Sequence, residues 1–345
     1  MEPQRVELAN FTSLRVGGAA ERLYRPTTLT GLKNILEGTD SVDWMLGFGS
    51  NVLISDKGLP GTTVMWRGGD VTYDDTCVTV DAGVWWDDLV SSSIGKNLWG
   101  IELMSEIPSS VGGAIYGNIA AYGQQVSDAL SWVEVYDSET RQVRTLQKDD
   151  IAFSYRSSAL QQQPHLIILR AGFQLSQTPT RELAYDSALL IAEELGYDIT
   201  TLAGRRSAII ETRTRAGSIY HPDDTQAERS AGSFFKNPLV DVDQAKELAA
   251  FDETGKTLER IIHQSQIHGG SAQRASAAHV LLAAGYHRGQ TWRHVKLHDN
   301  HVLKIQTLPG ATAQEVYDVS SEIVATVKQK LGITIEPEVK FLGEF

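Results

Sequence analysis

The chain reads as an α+β protein of more than one domain, and three observations carry that reading. Its 345 residues exceed what a single growing hydrophobic core usually sustains. The run SWVEVYD-SET-RQVRTL alternates apolar and polar residues, turns on short polar residues and returns, which is an antiparallel hairpin. From Asp241 onward helical patterns dominate, ending in a stripe of Val316, Val319, Ile323, Val327 and Leu331.

In chain order, FTSLRVGGAAERLYRP begins with mixed strand character and places Gly17 and Gly18 where the backbone must turn or approach another segment closely. TTLTGLKNILEG is a short helix ending at Gly38. Short strands at Trp44–Leu46 and Val52–Ser55 flank Gly47-Phe48-Gly49-Ser50-Asn51. Small residues between strands leave amides that can cradle a phosphate, or simply make a tight turn. The pattern is not G-x-G-x-x-G and no βαβ helix follows it, which argues against a Rossmann site. A strand at Val78–Asp81 and a helical piece from Trp85 to Ser93 come next. IPSSVGGAIYGNIAAYG is rich in glycine, almost uncharged, and both a poor helix and a poor strand. It suits backbone lying close beneath an extended ligand, or a plain glycine-rich loop.

Leu166 to Leu175 is a further strand, with Tyr155 and Arg156 at the rim on the connection before it. TRELAYDSALLIAEELGYD is a helix or helix pair carrying Leu183, Ala188, Leu189, Ile191, Ala192 and Leu195. Arg205, Arg206, Arg213, Arg215 and Arg229 make the most basic surface of the chain, although each alone is explained by solvation. VDQAKELAAF, TLERIIHQSQ and ASAAHVLLAA are helical, and TWRHVKLHDNHVLKIQT holds two short strands. The last helix has capping-box spacing at Thr312 and Glu315 and a stop at Gly332. In ITIEPEVKFLGEF, Glu336 and Glu338 share a face if extended, and Pro337 confines the segment to an edge.

The formal net charge of −12 disfavours nucleic acid as a partner and leaves an anionic small molecule open. The single cysteine, Cys77, permits neither an intrachain disulfide nor a thiolate metal cluster, and its apolar neighbours suggest a buried spectator. MEPQRVELAN lacks an apolar leader core, and no run of about 18 apolar residues occurs, so a cytoplasmic protein without a membrane segment is expected. His287, His294, His298 and His301 lack the H-E-x-x-H frame, and no metal site is expected. AGSFFKNP, 231–238, brackets two phenylalanines with serine, lysine and asparagine. It is either a ligand wall or a strand edge with a phenylalanine pair in the core.

LGFGSNVLISD, IPSSVGGAIYGNIAAYG, SYRSS, AGSFFKNP and IEPEVKFLG, in this order and spacing, resemble the UDP-N-acetylenolpyruvoylglucosamine reductase (UDP-N-acetylmuramate dehydrogenase) family, from FTSLRVGG to VKFLG. The resemblance implies an FAD-binding fold of the vanillyl-alcohol-oxidase/PCMH type in two subdomains, 1–68 joined by 333–345 and 69–212, with a third α+β substrate-binding domain at 213–332. It implies FAD as cofactor, held by Gly47, Phe48, Gly49, Ser50, Asn51, Ser109, Ser110, Gly112, Gly113, Ala120, Tyr122 and Gly123. NADPH and a UDP-sugar share one site in turn, and no obligate protein partner is implied.

On the same resemblance, hydride from NADPH passes through the flavin to the methylene carbon of UDP-N-acetylglucosamine enolpyruvate. Ser233 protonates the α-carbon, Arg156 binds the carboxylate, and Glu338 completes the catalytic set. Tyr155, Tyr185, Arg213, Arg215, Lys236 and Asn237 correspond to substrate contacts, and Glu336 to a structural neighbour. The chain departs from the family at Ala216, where a lysine is usual nearby, at His279 in place of a tryptophan, and at Gln306 within WRHVKLHDNHVLKIQ. A same-fold flavin oxidoreductase for a related nucleotide sugar and a non-catalytic flavin-binding protein are the alternatives.

Overall fold

A computed structural model describes residues 2–224, 228–253, 255–256, 259 and 272–345. The chain forms two compact units. One comprises Met1–Glu7, Ala19–Ser50 and Leu59–Ala227, the other Leu8–Gly18, Asn51–Gly58 and Glu228–Phe345. The expected helix at TLERIIHQSQ lies outside the described residues. Among the described residues no helix is long and apolar enough to cross a membrane.

Among the described residues the first unit holds two larger sheets and a two-stranded one, Ala120–Ala121 with Gln124–Gln125. Five antiparallel strands run in the order Gln142–Gln147, Leu130–Asp137, Leu166–Gln174, Cys77–Asp81 and Val71–Asp74. The expected hairpin is the first pair, with Val133 opposite Leu146 and Asp137 opposite Gln142. Val80, Val133, Leu169 and Phe173 are buried in one cluster with Trp66 and Trp86. The second sheet joins Gln4–Glu7 antiparallel to Ala19–Tyr24, then Leu59–Met65 and Trp44–Leu46 in parallel. The helix Leu29–Gly38 forms as its sequence predicts. Thr28 Oγ1 accepts the Gly31 N–H at 3.1 Å, and Leu32, Ile35 and Leu36 are buried.

In the second unit an antiparallel sheet runs Ser230–Ser233, Lys304–Thr307, Val295–Leu297 and Thr291–Trp292, one strand more than TWRHVKLHDNHVLKIQT suggests. The helix Ala313–Leu331 forms with the predicted capping box, and Gly332 ends it in the left-handed conformation. Its Val316, Ile323 and Val327 share a core with Val280, Ile305, Phe234 and Phe235. Asp56 accepts the Ala313 and Gln314 N–H groups at 2.9 Å each, binding the 51–58 excursion to the start of this helix. Gly17, at φ +114°, passes so close to Ile54 that a Cβ would stand 2.8 Å from its carbonyl oxygen. The sequence called for that approach.

Four expectations are corrected. Cys77 is exposed, because the two-residue period of its strand turns Val78 and Val80 inward and leaves Cys77 at the opposite face. Part of the glycine-rich run is a helix after all, Val111–Gly117, since burial of Val111, Ala114 and Ile115 outweighs the poor propensity of its glycines. Leu183 to Tyr185 precede the helix Asp186–Leu195 rather than belonging to it. The basic surface is in part an interior: Leu202–Arg215 is a helix, and Arg205 is buried on it.

Arg205 explains how an acidic chain uses arginine internally. It donates to Glu102 Oε1 at 3.1 Å, and Glu102 Oε2 accepts from Gly100 N–H at 2.8 Å and Gln124 Nε2 at 3.1 Å. Glu102 is wholly buried. Glu102→Ala therefore leaves a buried guanidinium without its carboxylate and should destabilise the fold by about 3–5 kcal/mol, read from the urea midpoint. In the folded protein one thiol per chain, Cys77, should react with a chromogenic thiol reagent without denaturant; protection until unfolding would contradict its exposure.

Candidate active site

Two glycine-rich segments meet in the first unit. Ser50 Oγ donates to the Pro108 carbonyl, and a Cβ on Gly47 would lie 2.6 Å from Ser110 Oγ. Only hydrogen fits at residue 47 while Ser110 Oγ keeps its bond from the Gly113 N–H at 3.0 Å. Strand-like bonds lock the second segment: Trp86 N–H to Ser109 O, Val111 N–H to Val84 O and Gly112 N–H to Ala82 O. The amides of Val111, Gly112 and Gly113 are thus used within the chain. Those of Gly47, Phe48 and Gly49 meet no main-chain acceptor among the described residues. Phe48 packs edge-on against Trp85 with ring centroids 4.6 Å apart, and the Arg67 guanidinium lies 4.9 Å from the Phe48 centroid. Burial lowers the Arg67 pKa from its usual value, against the opposing pull of Tyr220 and Asp223. Arg67 and Trp85 escaped the sequence reading; Arg67 stands beside Gly68-Gly69, the one local signal of a crowded backbone.

SYRSS forms a tight turn with Ser154 bridged to Ser157. Arg156 sits at φ +54°, a left-handed conformation that costs a non-glycine residue about 1–3 kcal/mol and concentrates at functional sites. The turn is held from outside. Asn118 Nδ2 donates to Ser154 O at 3.0 Å, Gln161 Nε2 to Arg156 O at 3.3 Å and Ser158 Oγ to Tyr116 O at 2.8 Å. Arg156 Nη1 donates to Ala120 O at 2.9 Å, which places it against the segment carrying Ala120, Tyr122 and Gly123. Its guanidinium stands 5.9 Å from the Tyr155 ring centroid. Tyr122, also left-handed at φ +50°, packs edge-on against Tyr185 at 5.1 Å; burial raises its hydroxyl pKa, with the nearby Arg213 charge opposing. Tyr185 is 54% exposed at the start of its helix. Arg213 also donates to Ser218 O at 2.8 Å. Arg215 is balanced by Glu194 at 2.8 Å and Glu211 at 2.8 Å.

A further charged cluster lies beside Trp85. Arg206 grips Asp87 through both oxygens, and Glu106, left-handed at φ +59°, donates its N–H to Asp87 Oδ1 at 2.7 Å. Burial and then Asp87 raise the Glu106 carboxyl pKa above the ordinary value. Burial pushes Asp87 the same way, but Arg206 and the Glu106 N–H outweigh it and hold Asp87 low.

In the second unit AGSFFKNP follows the second of its two readings, with the strand Ser230–Ser233 and both phenylalanines in the core. Phe234 N–H donates to Leu303 O at 2.8 Å, and Phe234 O accepts the Glu338 N–H at 2.8 Å. Lys236 N–H donates to Glu336 O at 2.9 Å, and Phe235 bridges Pro337. The segment is therefore the middle of three, with Ser233 exposed at one end. Lys236 Nζ lies 3.6 Å from Glu336. Asn237 Oδ1 accepts the Ala277 N–H at 2.9 Å, so its amide nitrogen is what it can offer a ligand. Asn51 Nδ2 donates to Glu338 O at 3.3 Å. Burial, then the Lys236 charge, lowers the Lys340 pKa, with Glu338 and Glu336 opposing. His294 and His298 bind Glu315 at 3.1 Å and Glu228 at 2.9 Å, respectively. Ala216 caps the helix that ends at Arg215, His279 lies in the helix Ala277–Ala283, and Gln306 is buried opposite Ser230 and Lys296.

Residues 223–342 match the family profile described as the C-terminal domain of UDP-N-acetylenolpyruvoylglucosamine reductase, and residues 39–146 match an FAD binding domain. A UDP-N-acetylenolpyruvoylglucosamine reductase of Thermobifida fusca is 31% identical over 352 residues, covering 98% of this chain and 97% of that protein. The chain belongs to the UDP-N-acetylenolpyruvoylglucosamine reductase family. A relative with the same description from Tropheryma whipplei is 33% identical over 87% of each chain. The crystal structure of UDP-N-acetylenolpyruvylglucosamine reductase from Thermus caldophilus superposes with a TM-score of 0.67 at 26% identity, covering 99% of this chain and 100% of that one. The α+β architecture is thus an FAD-binding fold joined to that family's C-terminal domain, and the protein is an FAD-dependent oxidoreductase.

The first unit's cradle fits an FAD pyrophosphate. It offers backbone without a Cβ at Gly47, amides at 47–49, and a guanidinium held over Phe48. Gly47→Val should displace Ser110 Oγ from its cap on Gly113 and lower flavin content. The ratio of 450 nm to 280 nm absorbance in the purified protein measures this, and a full flavin complement would contradict the cradle.

Proposed function

We propose that this chain reduces UDP-N-acetylglucosamine enolpyruvate to UDP-N-acetylmuramate with NADPH as reductant, a cytoplasmic step of peptidoglycan precursor synthesis. The observation that carries the reading is the junction at Phe234, whose main chain joins the segment of Ser233 to that of Glu338. FAD held in the cradle would supply hydride transfer between NADPH and the methylene carbon of the enolpyruvyl group.

The chain's own residues supply binding, orientation and the proton. Gly47, Phe48, Gly49, Ser50 and Asn51, with Ser109, Ser110, Gly112, Gly113, Ala120, Tyr122 and Gly123, hold the cofactor. Arg156 pairs with the substrate carboxylate and draws charge from the α-carbon as the neighbouring carbon gains hydride. A strained turn fixed by Asn118 and Gln161 favours one orientation of that arginine, which is the kind of preorganisation the step needs. Ser233 donates its hydroxyl proton to the α-carbon, and Glu338 orients the carboxylate from the adjoining segment. Lys236 and the Asn237 amide contact the diphosphate, with Tyr155 and Tyr185 covering the ligand and Arg213 acting through Tyr122. Arg215 would have to exchange Glu194 for a ligand to take part. The functional division is finer than the two compact units: 1–68 with 333–345 and 69–212 for the cofactor, and 213–332 for the substrate.

The test separates the two half-reactions. The purified flavoprotein is reduced anaerobically with NADPH, and the UDP-enolpyruvyl sugar is added while flavin absorbance is followed. Prompt reoxidation is expected, and its absence would sink the assignment. Ser233→Ala should keep NADPH-driven reduction and slow reoxidation by about 10²–10⁴-fold, the usual cost of a lost general acid. Equal losses in both halves would make Ser233 structural.

A further inference from the structure

Glu106 holds a backbone conformation that its own residue type disfavours. It is left-handed, at φ +59°, where glycine sits without strain and a side chain is kept only at a cost. The turn itself is fixed by the main chain, since the Glu106 N–H donates to Asp87 Oδ1 at 2.7 Å. Glycine would make that bond equally well, so the carboxyl at 106 needs a reason of its own. Only 13% of the Glu106 side chain is exposed. Asp87 takes both arms of Arg206, and Glu106 Oε1 lies 3.6 Å from Arg206 Nη2. One guanidinium thus serves two carboxyls, and burial and then Asp87 hold the Glu106 pKa above its ordinary value. The second oxygen, Oε2, is buried, and His221 Nε2 stands 3.5 Å from it.

His221 belongs to the segment 217–224, which follows the helix Leu202–Arg215 within the first unit. Its contacts lay this segment along the cofactor cradle. The His221 ring centroid is 6.4 Å from that of Trp85, which packs on Phe48. Tyr220, which is buried, and Asp223 act electrostatically on Arg67, whose guanidinium stands over Phe48. The near end is pinned twice, by the Arg213 side chain donating to Ser218 O at 2.8 Å and by the Ser218 N–H donating to Arg213 O at 2.7 Å. The ion pair of His221 with Glu106 ties the far part to the loop whose Pro108 carbonyl accepts from Ser50.

We propose that Glu106 and His221 form a latch that holds 217–224 as a strap along the wall of Phe48, Trp85 and Arg67, and that this strap sets how fast FAD enters and leaves the cradle. This rests on the reading of residues 47–49 and Arg67 as the flavin cradle. An ion pair suits a latch because a single proton makes or breaks it. Histidine gains and loses its proton between about pH 5 and 8. With one proton on the pair, an imidazolium faces a carboxylate, and Asp87, Glu106, Arg206 and His221 together carry no net charge. Loss of that proton leaves two carboxylates to one guanidinium, and a neutral imidazole holds the strap less firmly. Arg213 also faces Glu106, and Arg67, Tyr220 and Asp223 border the strap on its other side; the two arginines stay charged throughout this range. The strained turn at 106 is what carries the carboxyl to this position.

Two measurements on the full chain test this, and neither is turnover. Release of FAD from the loaded protein is followed by flavin fluorescence after dilution, and deuterium exchange of the amides in 217–224 by mass spectrometry, with and without FAD. His221→Gln and Glu106→Gln should each speed FAD release about 2–5-fold, the effect of one partly exposed ion pair, and speed exchange in 217–224 while the remaining segments keep their rates. The double variant should be no faster than either single one. In the unaltered protein release should quicken as the pH rises from about 6 to about 9, and His221→Gln should lose that rise. His221→Lys should restore slow release across the range, since its ammonium keeps its proton there. Glu106→Gly should release FAD as fast as Glu106→Gln without lowering the urea midpoint, because glycine takes the turn freely. Where a Glu106 variant fails to fold, His221→Gln and His221→Lys make the comparison on a half-exposed side chain. Additive effects of the two substitutions, unchanged exchange in 217–224, or a pH profile indifferent to His221 overturns the proposal. A full flavin complement in Gly47→Val would instead overturn the cradle reading beneath it.

Discussion

The site proposed in the second unit depends on the main chain of Phe234. Its N–H donates to Leu303 and its carbonyl accepts from Glu338, so one residue sets the register on both sides. Ser233 is thereby placed opposite Lys304, and the Ser233 segment beside the Glu336–Glu338 segment. The side chains of Phe234 and Phe235 are buried, with ring centroids 5.3 Å apart, which fixes the strand against sliding. A one-residue slip would turn Ser233 away and leave only one of the two phenylalanines at a buried position. Packing and chemistry are therefore specified by the same few atoms.

The first unit solves a different problem, holding backbone close to a large anionic cofactor in a chain of net charge −12. It holds part of its positive charge in ion pairs, buried or half-buried for Arg205 and Arg206 and exposed for Arg215. Arg205 is matched by Glu102, Arg206 by Asp87 and Glu106, and Arg215 by Glu194 and Glu211. These pairs fix helix Leu202–Arg215 in place while contributing little long-range positive field. The Glu102 network reaches Gln124, next to Gly123, so that a structural ion pair also steadies the segment carrying Tyr122. On the proposed reading, anion recognition is left to amides at 47–49 and to the few cations kept near them.

Arginines 205, 206, 213 and 215 show where reading from sequence reaches its limit. Their density suggested a basic surface, but the carboxylates that claim Arg205 and Arg206 lie 103 and 119 positions away. No local pattern reports such a pairing. Cys77 failed for a related reason. Its apolar neighbours were real, yet which half of an alternating strand faces inward depends on the sheet that receives it. The glycine-rich run was legible as backbone suited to lie close beneath a ligand, or as a plain loop. Its partial helix, Val111–Gly117, forms because strands on either side supply burial that propensity does not foresee.

By itself the sequence determined the α+β class, the hairpin, the capped first and last helices, and the family, because these rest on local periodicity and short motifs in a fixed order. It also marked Gly17 and Gly18 as backbone that must turn or come close to another segment, and both do come close, to Ile54 and Asp56. Tertiary structure alone decided the threading of 8–18 and 51–58 into the second unit and the strained turn at Arg156. It alone set a lysine opposite Ser233. Those features arise from pairings between residues far apart in the chain, and a charge's role follows from its neighbours rather than from its own identity.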